Sequence, residues 1–88
     1  MSKIVIIPDD GYVSVNGVGF NKINLSFISA NVHAIQWNDT YGEIETRDPT
    51  TGKILTNIEI TDISPYQAAI NSWNTANTAF YKSKANTA

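Results

Sequence analysis

Five of the nine imidazole and carboxylate side chains in this 88-residue chain fall within one stretch, residues 32–48. It holds the only histidine, His33, together with Asp39, Glu43, Glu45 and Asp48. An imidazole beside a carboxylate is the minimum for general acid–base work, and His33 with Glu43 or Glu45 is the pairing on offer. Glu43 and Glu45 are two apart, so on a strand they share a face. Paired carboxylates can divide acid and base roles or hold a cation. Several features weigh against both uses. No nucleophile stands in a recognisable spacing with His33, Asp-x-Asp calcium-loop spacing is absent, and alternating charge is the ordinary way to solvate an exposed strand face. The expectation is a structural His33, solvated carboxylates, no catalytic residue, and no bound metal or cofactor. Gly17 and Gly19 form a Gly-x-Gly fragment with no helix pattern after it, which argues against a phosphate loop.

The elements that must position these groups can be read from periodicity and turn chemistry. Residues 32–37 form a mostly apolar run, with Val32, Ala34 and Gln36 on one face and His33, Ile35 and Trp37 on the other. A polar turn over residues 38–42 follows, then Glu43-Ile44-Glu45-Thr46-Arg47, which alternates with Ile44 inward. Upstream, residues 3–7 and 12–15 read as strands separated by an Asp9-Asp10-Gly11 turn. Asn16-Gly17 predicts a tight hairpin to a returning strand at residues 18–20. Residues 21–31 fit neither period; an extended piece ending near Leu25 and one helical turn or irregular link over 26–30 is expected. After a turn at residues 48–52, Ile54, Ile58 and Ile60 mark core positions of a further strand, with a bulge over 55–57. Ser64, Pro65 and Gln67 then open a helix as N-cap, first helical residue and capping-box partner. Its apolar stripe is Tyr66, Ala69, Ile70, Trp73, Ala76 and Phe80.

The chain is thus expected to be a single α+β domain. A small antiparallel β-meander of about five or six strands fills residues 1–62. One C-terminal helix over residues 63–82 packs on the sheet, and residues 83–88 fray. There is no cysteine, which removes disulfides and thiolate metal sites. The net charge of −2 and six scattered basic residues give no stripe for nucleic acid. The apolar run at residues 4–7 ends at Pro8, too short for a signal-peptide core or a membrane span. Neither nucleic acid nor membrane is therefore expected as a partner. The aromatic residues carry more weight. Trp37 and Tyr41 at the hairpin end, and Trp73, Phe80 and Tyr81 on an Asn- and Thr-rich helix, are the candidate contact residues for another protein or for a second copy of the chain.

Val32-His33-Ala34-Ile35-Gln36-Trp37, followed by Gly42-Glu43-Ile44-Glu45 and Asp48-Pro49, resembles a group of small proteins encoded by tailed bacteriophages. Asp9-Asp10-Gly11, Asn16-Gly17, the Ser64-Pro65-Tyr66-Gln67 helix start and Trp73 match its flanking features, so the similarity spans nearly the whole chain. The helix departs from the Ala-rich members. The resemblance implies a protein associated with the tail or tail fibres, as a virion component or an assembly helper, located in the virion or the host cytoplasm. It implies other tail or virion proteins as partners and transfers no catalytic residue. Two alternatives stand beside it: a regulatory or inhibitory module that binds a host protein, and a small enzyme built on His33 with Glu43 or Glu45.

Overall fold

A computed structural model describes the backbone over residues 3–87 and side chains as far as Lys82. Six strands and one helix follow in order: β1 (Lys3–Ile7), β2 (Tyr12–Val15), β3 (Val18–Phe20), β4 (Val32–Asn38), β5 (Tyr41–Thr46), β6 (Ile58–Ile60) and α1 (Gln67–Thr87). This is the expected α+β architecture, an antiparallel sheet with the C-terminal helix packed on it. The strands lie in the order β3-β2-β1-β4-β5-β6, and every neighbouring pair is antiparallel. Two three-strand meanders are therefore joined at β1 and β4. The chain leaves β3 at one edge and returns to lie beside β1, which is a Greek-key connection.

Turn chemistry sets the local register. Asn16 and Gly17 both take positive φ, 51° and 87°, as a tight β2–β3 hairpin requires. The Asn16 side chain also accepts a hydrogen bond from the Lys3 N–H at 2.9 Å, which fixes the start of β1 against that turn. Between β4 and β5 the turn is tighter than expected. Only Asp39 and Thr40 lie outside the strands, and Asp39 takes φ 58°. Gly42, expected to end the turn, is already paired with Trp37 in the sheet.

One sheet face is apolar across its width. Ile6, Ile35 and Val13 are fully buried there, with Ile4 and Trp37 beside them. Residues 21–31 close one end of this core. The Ile23 N–H donates to the Gly11 carbonyl at 2.9 Å, and Ile23, Leu25 and Ile28 are buried. Two turns, closed by Ile28 to Leu25 and by Val32 to Ser29 at 3.0 Å each, complete the link. Their buried positions match no regular period because no regular element carries them.

The helix begins differently from its sequence signature. Ile63, not Ser64, stands at the N-cap and makes no side-chain cap; the residue before it, Asp62, accepts the Ser64 N–H at 2.9 Å and the Ser64 hydroxyl at 2.8 Å. Gln67 donates forward to Asn71 at 3.1 Å instead of reaching back. Residues Ser64–Tyr66 form a 3-10 turn that leads into α1. Ala69 and Trp73 are buried, Ile70 and Ala76 are half-buried, and from Thr78 to Lys82 every side chain is exposed. Helical backbone continues to Thr87, past the end expected at residue 82, and Ala88 lies outside the described residues. At 21 residues the helix is roughly 30 Å long. The radius of gyration is 14.2 Å, against roughly 12 Å for a compact domain of this length. The outer part of α1 overhangs the sheet.

Candidate functional site

The residues expected to do chemistry are distributed by one irregularity in β4. Val32 pairs with Thr46 and Ala34 with Glu45, so the register shifts at His33. A bulge of this kind sets two residues, here His33 and Ala34, opposite one. Val32 thereby returns to the core face, where it is buried, and His33 leaves the face of Ile35 and Trp37 on which strict alternation placed it. His33, Glu45 and Arg47 thus come to the outer face at one end of the sheet. There Arg47 forms an ion pair with Asp9 that ties the turn after β1 to the end of β5. Both partners keep solvent access, 26% and 51% exposed, so the pair contributes at most about 1 kcal/mol. His33 Nδ1 and Arg47 Nε are buried and find no hydrogen-bond partner among the described residues. Among the described residues no three imidazole or carboxylate groups converge as metal ligands.

Glu43 is separated from this cluster. It is exposed, accepts the Asn57 side-chain N–H at 2.9 Å, and stands directly across from Glu59 of β6. Beside it, Lys3, Val5, Gln36, Asn38 and Tyr41 line a shallow groove of about 260 Å³ on the outer face. The geometry brings His33 and Glu45 to one end of the sheet, with Glu43 set apart from them beside the groove and β6.

The five candidate contact residues divide by burial. Trp37 is 6% exposed and lies over Gly42; a Cβ on that glycine would sit 2.9 Å from the indole Cε3. Trp73 is 8% exposed and donates its Nε1–H to the Val18 carbonyl at 2.7 Å. Both tryptophans are core residues and have no free face to offer a partner. Tyr41, Phe80 and Tyr81 are exposed. Trp37 and Tyr41, adjacent to the same turn, point to opposite faces of the sheet because Trp37 pairs with Gly42 and Tyr41 with Asn38. On the helix, edge-to-face contacts run from Trp73 to Phe20, from Phe20 to Phe80 and from Phe80 to Tyr81, with centroids 6.0, 5.9 and 5.7 Å apart. The chain of rings begins in the core and ends in solvent on the overhang.

A second exposed apolar group was expected to be core. Ile54 and Ile58 are 47% and 52% exposed, and Leu55 between them is 46% exposed. The strand anticipated across residues 53–60 shrinks to Ile58–Ile60, preceded by a single bridge from Ile54 to Arg47. The strand-like pattern of Ile54, Ile58 and Ile60 signalled sheet pairing there but not which face would be covered.

No family model, curated protein or solved structure matches this chain. No described helix is long and apolar enough to cross a membrane.

Proposed function

We propose that this is a non-enzymatic structural or assembly protein of a tailed bacteriophage, associated with the tail or tail fibres and acting through protein–protein contacts. The observation that carries the contact reading is the placement of its exposed apolar side chains. Among the described residues, Phe80 and Tyr81 stand together on the outer part of α1 and Ile54, Leu55 and Ile58 around β6, while Val18, Phe27 and Tyr41 are exposed elsewhere. Grouped exposure of large apolar side chains marks interaction surfaces, whereas single scattered ones need no explanation. The phage assignment rests on the resemblance carried by residues 32–49. Several of those residues have packing roles: Trp37 covers Gly42, and Ile35 pairs with Ile44. A shared motif of this kind supports a shared scaffold, and the contacts on it then determine the partner. Virion or host cytoplasm is the location that goes with this reading.

Mass spectrometry of purified virions tests it. Recovery of the protein in stoichiometric amount supports a virion component. Absence from the particle together with recovery of tail proteins in a pull-down leaves the assembly role. A pull-down that yields a host protein and no tail protein replaces the proposal with the regulatory module.

A further inference from the structure

We propose that the outer edge of β6 is a docking edge for an extended segment of another protein, one that alternates apolar and basic side chains. The inference rests on the contact reading above and specifies one of its surfaces. Among the described residues β6 is the last strand of the sheet, paired on one side only, through Ile58 with Ile44, Glu59 with Glu43 and Ile60 with Gly42. Its other side presents backbone groups that a further strand can pair. The side chains on its two faces define what that strand must carry. On the core face, Ile58 is half exposed while its neighbour Ile44 packs against the core. Apolar residues opposite Ile58 and Ile60 would extend the buried face by one strand. On the outer face, Glu59 and Glu43 are cross-strand neighbours of like charge, an arrangement that is destabilising by itself. A Lys or Arg opposite Glu59 would offset it.

The same charges argue against a second copy as the occupant. Two β6 strands paired antiparallel about their centres would set Glu59 against Glu59. Leu55 and Ile54, both exposed just before β6, offer additional apolar surface along the chain leading into the edge. The fitting partner is therefore an extended, basic and apolar segment from a different protein.

The test uses the full chain, labelled for amide NMR, titrated with alternating Val/Lys, Val/Glu and Ser/Lys heptapeptides. The Val/Lys peptide is expected to shift the amides of Ile58, Glu59 and Ile60 and to slow their hydrogen exchange. It should bind about five-fold more tightly than Val/Glu, the scale of one exposed charge pair. Glu59→Lys should reverse that preference, and Glu59→Gln should erase it. Equal binding by Ser/Lys would show that charge alone is at work and would overturn the docking edge. So would Val/Lys shifts confined to other strands, or a charge preference indifferent to residue 59. Virion composition is read separately, so a failed titration leaves the phage assignment standing, and a failed virion test leaves the edge result standing.

Discussion

The two halves of the sheet are built from the same kinds of residue and end in different states. In the β3-β2-β1 half, α1 lies on β2 and β3, and Trp73 reaches down to the Val18 carbonyl. Val13 there is fully buried. Burial falls off toward both edges, from fully buried Val13 to exposed Val18 on β3 and from fully buried Ile35 through partly buried Ile44 to exposed Ile58 on β6, but only at the first edge do helix rings, Trp73 and Phe80, pack on a strand residue, Phe20, among the described contacts. β-branched residues on one face of a strand therefore do not guarantee a core. What covers that face decides, and the main contacts of the helix are with β2 and β3.

The sharpest way to break this comparison is to remove the cover. Trp73→Ala deletes a buried ring and a hydrogen bond, with an expected loss of about 3–5 kcal/mol in urea unfolding. Ile58→Ala, at the exposed β6 edge of the other half, should stay within about 0.5 kcal/mol of the parent. Equal losses at the two positions would mean that the halves are covered alike. Gly42→Ala probes the stacked ring on the second half. Its Cβ would meet Trp37 and the Gln36 carbonyl, so a loss of about 1–3 kcal/mol is expected in the same measurement.

The smallest effect is confined to acid and to the start of the helix. The Ser64 backbone N–H, with the Ser64 hydroxyl adding to it, holds the Asp62 carboxyl below the usual carboxylate range. A carboxylate whose folded pKa is depressed adds stability above its unfolded pKa, and that stability is lost as pH falls through the folded value. The contribution of Asp62 should thus be whole at neutral pH and fade below about pH 4. Asp62→Asn should flatten the acid limb of stability against pH without changing its neutral part by the same route. An unchanged acid limb would remove the Asp62–Ser64 hydrogen bonds from the account.

Local chemistry made much of the fold legible beforehand. Asn16-Gly17 specified its own hairpin, and the alternation around Ile44 specified which face of β5 is wet. The failures share a cause. The bulge at His33 depends on how β4 meets β5, a register that neither strand encodes alone. Ser64 fell inside the first turn, with Ile63 at the N-cap, because a 3-10 turn over Ser64–Tyr66 precedes the α-helix, which the capping signature does not encode. Ile54 and Ile58 looked like core positions because period shows a face but not its cover. The candidate contact residues suffered likewise: Trp37 and Trp73 were visible as large apolar groups, and only packing could assign them to the interior.

The Greek-key join has a consequence for how the chain finds this structure. Each three-strand meander is made from neighbouring segments, so its pairings close short loops. The β1–β4 pairing, which sets Ile6 beside Ile35 and Ile4 beside Trp37, brings together residues far apart along the chain. Of the strand pairings, this one closes the longest loop, and distant contacts require that closure before they return any burial. Residues 21–31 span this loop, and their three buried side chains join the core alongside Ile6 and Ile35. A segment without regular structure is in this way tied to the longest-range strand pairing of the sheet.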